Sequence, residues 1–362
     1  MDRLGLARGV ITAFNLGGTV AEVQTYGNGL INDTFLVQTT GGRRAILQRL
    51  NAQVFPHPEL ILANLRTLLN HARRQGMDGL RLPALLPARD GRDFATDSEG
   101  GFWRALEYIP GTHSLGMLAN AEQAQSVGAA LGRFHALLHE LPVGQLHATL
   151  PGFHVAPEYL RHFDGIVQGS EAGHSVALRE ALAFVEERRE LIGVLEQAKQ
   201  TGALVLRPTH GDPKLDNFLF DAEARQVVAL IDLDTVQPGL VQVDVADCLR
   251  SCCNRAGESP ADLYAVRFDL DIARAILRGY LAEARGFLSA EDCEYLYDAI
   301  RLIPFELGLR FLTDHFAGDR YFKVTQPGQN LWRARVQFRL TEDIERHEGV
   351  LRALIDSLAG GD

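Results

Sequence analysis

His210-Gly211-Asp212-Pro213-Lys214-Leu215-Asp216-Asn217, followed by Leu230-Ile231-Asp232-Leu233-Asp234, decides how this chain is read. An Asp, an Asn five residues later and a further Asp after an apolar run form the layout that phosphoryl transfer needs. That chemistry asks for a carboxylate to receive a hydroxyl proton and for oxygen ligands to hold Mg²⁺ on the phosphates. Asp212 has the position of the base, Asn217 that of a metal ligand and Asp232 that of the main Mg²⁺ ligand. Gly-Asp by itself is ordinary turn chemistry. The combination is more specific. Asn217 is correctly spaced, Val205-Leu206 and Phe218-Leu219-Phe220 can flank the loop as strands, and Val227 to Ile231 is a β-branched, apolar run ending in an acid.

At 362 residues the chain exceeds a single-domain prior and suits two lobes. A composition of 46% hydrophobic and 23% charged residues is that of a soluble globular protein. No run of about 18 apolar residues exists, so no membrane span is expected. Met1-Asp2-Arg3-Leu4-Gly5 lacks a signal-peptide pattern, and a cytoplasmic location is the expectation. The net charge of −10 argues against nucleic acid as partner, because phosphate backbones need basic surface. Cys248, Cys252, Cys253 and Cys293 give no C-x-x-C pair and no zinc spacing, so buried thiols are expected.

Val20–Thr25 and Thr34–Val37 read as strands around Tyr26-Gly27-Asn28-Gly29-Leu30-Ile31-Asn32-Asp33, where Asn-Gly favours a tight hairpin. Arg44 to Leu50 reads as a third strand. Residues 57–75 carry a helical stripe of Leu60, Leu62, Leu65, Leu68 and Leu69. Strands are expected near 80–86 and 101–108, around a polar turn at Arg89–Gly100. Glu107-Tyr108-Ile109-Pro110-Gly111 then breaks the pattern with Pro-Gly. Residues 121–141 read as a helix, with Asn120 as N-cap and Gln123 three residues on. His135 and His139 share a face of it, and without the Glu of H-E-x-x-H they read as core or satisfied histidines. Stretches 156–200 and 268–360 read mainly as helix.

The order of the deciding residues resembles H-R-D-x-x-x-x-N and D-F-G of protein kinases. Gly211 in place of Arg, and Asp232-Leu233-Asp234 in place of D-F-G, are departures shown by the aminoglycoside phosphotransferase-like kinases, which include choline, homoserine and methylthioribose kinases. The resemblance implies an α+β, two-lobed, protein kinase-like fold. Its antiparallel-sheet N-lobe would span residues 1–107, its hinge 108–112 and its mainly helical C-lobe 113–362. It also implies ATP and Mg²⁺. Gly27, Asn28, Gly29 and Asn32 would form the loop whose backbone N–H groups approach phosphates without a Cβ in the way. Glu107 and Ile109 would meet adenine through the hinge backbone. The third strand has Gln48 where protein kinases have the Lys of V-A-I-K, with Arg49 next. Gln48 by hydrogen bonding, or Arg49 by charge, would replace it, and period-2 alternation does not let both point inward.

Thr209 to Asp221, Ile231 to Leu240 with its Asp-Leu-Asp-Thr-Val and Pro-Gly-Leu pieces, and Phe305 to Asp314 followed by Gly318-Asp319-Arg320-Tyr321-Phe322-Lys323 are similar to segments of the N-acetylhexosamine 1-kinases. The likeness runs from about residue 20 to about residue 345 and is weakest between 150 and 200. It implies phosphorylation of the anomeric hydroxyl of N-acetylglucosamine or N-acetylgalactosamine. Asp212 would take the 1-hydroxyl proton, and Arg310 and Tyr321 would bind the sugar. One departure is Leu30, where the family has a His. The rival readings are a kinase of another small acceptor (aminoglycoside, choline or homoserine type) and an inactive nucleotide-binding module.

Overall fold

The protein is described here by a computed structural model covering residues 2–27, 31–76, 79–168 and 175–360. An opening helix, α1 (Arg3–Val10), is capped by Asp2, whose side chain accepts from Gly5 N. It lies against an antiparallel sheet of β1 (Val20–Thr25), β2 (Asp33–Thr39), β3 (Arg44–Arg49), β4 (Leu85–Leu86), β5 (Ala95–Thr96) and β6 (Phe102–Glu107). The order is β1-β2-β3-β6-β4, with β5 on β6. Leu6, Val10 and Phe14 join Val23, Phe35, Val37, Leu47 and Trp103 in a separate sheet core. Helix α2 (Pro58–Gln75) follows β3 and buries Ile61, Leu62, Leu65, Leu68 and Leu69, while Gly76 (φ 87°) ends it. Ile61 takes the buried place expected for Leu60. Neither α1 nor β5 was legible in the pattern: α1 carries little apolar periodicity, and β5 has only two residues inside a polar turn.

Beyond residue 107 the chain is mainly helical: α3 (Ala121–Leu138), α4 (Ala156–Val167), α5 (Val176–Glu187) and α6 (Val194–Thr201) precede the deciding segment. That segment holds β7 (Arg207–Thr209), β8 (Phe218–Phe220), β9 (Val227–Leu230) and β10 (Gln237–Gly239), with β7 paired to β10 and β8 to β9. Then come α7 (Val241–Cys253), α8 (Leu270–Ala284), α9 (Ala290–Glu294), α10 (Leu296–Phe316), α11 (Gln329–Arg346) and α12 (Glu348–Gly360). The α+β expectation therefore holds. Val205 and Leu206 stay exposed and outside the strand, because β7 begins at Arg207, where its partner Gly239 ends.

Two helices fix the frame of the site. Asn120 caps α3 by accepting from Gln123 N at 2.9 Å, and the Gln123 side chain accepts from Ala119 N at 2.7 Å. Gly128 and Gly132 of α3 lie against α8, and Gly279 of α8 lies against α3. A Cβ on Gly128 would sit 1.9 Å from Ile276 O, and one on Gly279 2.1 Å from Gln125 O. Glycine is thus required for the two backbones to touch. All four cysteines are free thiols, three of them buried. Among the described residues, no helix is long and apolar enough to cross a membrane.

Candidate active site

The loop after β7 is tied to the helical body by one carboxylate. Asp244, on α7, accepts from His210 N at 2.6 Å and from Gly211 N at 2.9 Å. It also accepts from His135 Nε2 at 2.9 Å, while the Tyr280 hydroxyl lies 3.0 Å from His135 Nδ1. Burial alone would raise the Asp244 carboxyl; hydrogen bonding and charge from His135 outweigh it and hold the group below its usual range. His135 is thus a satisfied core histidine, as its helix face suggested. Gly211 has φ 86°, and a Cβ there would sit 2.7 Å from Thr235 O. Glycine is required there because the backbone turns left-handed against the short helical turn that carries Thr235.

The turn presents the reactive groups. His210 Nε2 donates to Ile231 O at 2.9 Å, which ties the loop to the segment carrying Asp232. Lys214 Nζ donates to Asp212 Oδ2 at 2.6 Å, and the Asp212 side chain keeps 31% of its surface open to the crevice. Burial pushes the Asp212 carboxyl up; Lys214 is the largest influence pulling it back. Asn217 Nδ2 donates to Asp212 O at 2.8 Å, which aims its Oδ1 the other way. Asp232 adopts a left-handed conformation (φ 62°, ψ 56°) just past β9. Its carboxyl is pushed up to about 6 by burial and then by Asp234, against Lys214 and Arg104. No three His, Cys, Asp or Glu side chains among the described residues form a metal cage. A Mg²⁺ held by one or two protein oxygens together with phosphate oxygens needs none. Asp232 and Asn217 carry hard oxygen donors of the kind that could hold such an ion.

On the sheet side, Gln48 and Arg49 are separated as alternation requires. Gln48 Oε1 accepts from Arg104 Nε at 3.0 Å and Nη2 at 2.7 Å, and its Nε2 donates to Thr34 Oγ1 at 3.2 Å. Arg49 pairs instead with Asp97 at 3.3 Å, away from Gln48. Of the two candidates for the missing lysine, Arg49 is thus held by Asp97 on the face of β3 opposite Gln48. Arg104 also donates to Asp234 in a buried ion pair. Asn32 Nδ2 donates to the second oxygen of Asp234 at 2.7 Å, and Asn32 Oδ1 accepts from Asn51 N. Asp234 is thus fully engaged and buried, whereas Asp232 is only partly buried. Gly27 has φ 73°; Asn28, Gly29 and Leu30 lie outside the described residues. Glu107 ends β6, pairs with Arg81 at 2.9 Å and donates its backbone N–H to Ala84 O; Ile109 is buried just beyond.

Across the loop lies a second polar cluster. His154 Nε2 donates to Gly211 O at 3.0 Å, and its Nδ1 donates to Glu306 Oε1 at 2.8 Å. Burial opposes a charged imidazole there, but Glu306 outweighs it and raises the His154 pKa above the ordinary 6.5. Glu306 Oε2 is buried with no hydrogen-bond partner. One helical turn on, Arg310 lies among the rings of Phe153, Tyr159 and Phe322 at 5.5, 5.0 and 5.6 Å, with Tyr321 near enough to act on its charge. Asp314 shapes that segment by accepting from the backbone N–H groups of Arg320, Tyr321 and Phe322. Arg310 and Glu306 are therefore not simply a surface pair.

The structure brings Asp212, Asn217 and Asp232 together, with Gln48 and Asn32 joined to them through Arg104 and Asp234. Arg310 and Tyr321 reach the same loop through Glu306 and His154. Arg104, His154 and Glu306 were missed. Arg104 had a signal, a lone charge in the apolar strand Phe102-Trp103-Arg104-Ala105-Leu106. His154 had none, since only the fold brings it to Gly211.

A kinase-like arrangement on this scaffold is what the comparisons find. The family model described as "Phosphotransferase enzyme family" matches residues 22–280, and the chain belongs to that family. Among solved structures, the microcompartment-associated aminopropanol kinase has a TM-score of 0.65 at 18% identity, with 95% of this chain and 98% of that one covered. The aminoglycoside phosphotransferase from Alicyclobacillus acidocaldarius has a TM-score of 0.61 at 18% identity, covering 97% and 96%. An amicoumacin kinase bound to AMP-PNP, Ca²⁺ and its acceptor has a TM-score of 0.61 at 15% identity, covering 96% and 94%. These likenesses show the fold.

Proposed function

We propose that this phosphotransferase moves the γ-phosphate of ATP to the anomeric hydroxyl of an N-acetylhexosamine, with Mg²⁺, in the cytoplasm. Residues 1–107 serve as the nucleotide lobe, 108–112 as the hinge and 113–362 as the acceptor lobe. The observation that carries the reading is the polar cluster beside Gly211. The free Glu306 oxygen is an acceptor for a sugar hydroxyl. Arg310 offers forked N–H donors to hydroxyls or an acetamido oxygen, and Tyr321, 56% exposed, offers a ring face. A polycationic acceptor such as an aminoglycoside is disfavoured by Arg310 at that place.

In this reading Asp212 receives the hydroxyl proton and aims the oxygen at phosphorus. Burial supports it as a base by raising its proton affinity, and Lys214 holds the carboxylate in place. Lys214 also brings positive charge between Asp212 and Asp232, where transferring phosphate oxygens would lie. When bound, Mg²⁺ neutralises charge on the phosphates; Asp232 and Asn217 would hold it, and Asp234 would not. The glycine turn, with Gly27, Asn28 and Gly29, and the backbone of Glu107 and Ile109 complete the nucleotide site. The complex of the amicoumacin kinase with AMP-PNP and Ca²⁺ supports a nucleotide with a divalent ion on this fold. ATP consumption across a panel of sugars, amino alcohols and aminoglycosides, with ³¹P NMR of the product, tests the proposal. An anomeric phosphate on an N-acetylhexosamine is expected; turnover with amino alcohols instead would replace the acceptor.

A further inference from the structure

On the phosphotransferase reading, the third strand should carry a cation to the nucleotide, yet it presents Gln48. The missing charge lies one strand away. Gln48 of β3 and Arg104 of β6 are opposed partners in the register, so their side chains share one face about 5 Å apart. Arg104 is 1% exposed, and its guanidinium reaches past Gln48 to Asp234, two residues from Asp232. Its Nη2 serves both partners, and its Nε serves Gln48. Its Nη1 is buried with no hydrogen-bond partner. A buried guanidinium N–H left unpaired is costly, and native structures normally provide it with an acceptor. The other arginines of β3 and β6 are engaged elsewhere: Arg44 lies over the Tyr108 ring and Arg49 on Asp97.

We infer that Arg104 is the phosphate-binding cation of this enzyme, relocated from the third strand to its neighbour, and that Nη1 receives a non-transferred phosphate oxygen of the nucleotide. Gln48 is then the positioning residue: its amide oxygen takes the Nε donor and one Nη2 donor, Asp234 takes the other Nη2 donor, and the two N–H groups of Nη1 are left free. Asn32, at the root of the glycine turn, holds the same Asp234, so the turn, the cation and the Asp-Leu-Asp segment form one network. A forked guanidinium suits phosphate oxygens, as an amide cannot.

The test is calorimetric binding of Mg·ADP and of adenosine, without turnover. The unaltered protein is measured first, since failure to bind ADP would undo the kinase reading itself. Arg104→Gln is expected to weaken ADP binding by about 10- to 150-fold and to leave adenosine binding unchanged. Because that change strands Asp234 in the core, the pair Arg104→Gln with Asp234→Asn is compared with Asp234→Asn alone, and the same ADP-selective loss is expected. Adding Gln48→Lys to Arg104→Gln returns the charge to β3 and should recover ADP binding to within about tenfold of the unaltered protein. ADP binding unaffected by loss of Arg104, or adenosine and ADP weakened alike, would overturn the inference and leave the family reading intact.

Discussion

Arg104 and Arg310 lie on opposite sides of the catalytic turn, and their surroundings differ in kind. Arg104 meets a carboxylate and an amide that fix its plane, so its direction is set before any ligand arrives. Arg310 lies among three aromatic rings, which stabilise its charge from many directions and leave its donors adaptable. The difference matches two tasks. Phosphates are the same in every turnover and reward a rigid donor. Acceptors differ from one relative to the next and reward a cation whose donors can be re-aimed.

The sharpest way to break this comparison is to remove the group between the two sides. Asp212→Asn should keep nucleotide binding and lose about 10²–10⁴ in turnover, the usual contribution of a general base. A loss under tenfold in kcat would mean that neither side is organised around Asp212. The next effect is on stability. Asp234→Ala should cost about 3–5 kcal/mol in denaturant unfolding, because it leaves Arg104 buried without its counter-charge. Asp232→Ala should cost far less, since burial and Asp234 already oppose its ionised form, yet abolish metal-dependent activity. Equal stability losses would show that the two acids are not divided between structure and metal.

On the acceptor side, Arg310→Ala should lower kcat/KM for the sugar by roughly 10- to 150-fold, the worth of a hydrogen bond to a charged group, with KM for ATP little changed. A weakened ATP KM with normal sugar kinetics would move Arg310 to the other side. The smallest effect is in pH. His154 has a raised pKa, so its ion pair with Glu306 is fully present below about 6.5 and is lost as pH rises through the raised value. Melting temperature and acceptor affinity should both decline over that window, and His154→Gln should flatten the profile. A profile unchanged by the substitution would remove His154 from the pocket's electrostatics.

The two sides were also unequally legible. The grouping of Asp212, Asn217 and Asp232 was readable because they are contiguous: one loop and one strand end carry all three. The polar cluster across the loop draws His154 from before α4, Glu306 and Arg310 from α10 and Tyr321 from the segment after it. Arg310 and Tyr321 were singled out through family likeness, whereas Glu306 and His154 carried no signal of their own. Arg104 was hidden by attention to the third strand, since spacing along one strand does not reveal what the next one contributes. The partner of Arg49 was not foreseen because the acid that claims it, Asp97, follows β5, which a two-residue pattern does not announce.

The bare backbone contact between α3 and α8 bears on how such a protein can change over time. Gly128, Gly132 and Gly279 leave no room for a methyl group, so that seam tolerates almost no drift. Through His135, Tyr280 and Asp244 it holds the amides of His210 and Gly211 in place. Tyr321 hangs on the other rim, exposed and tied down mainly by its own backbone. A lineage of such chains could exchange one acceptor for another by rewriting that rim while the transfer machinery stayed frozen behind three glycines.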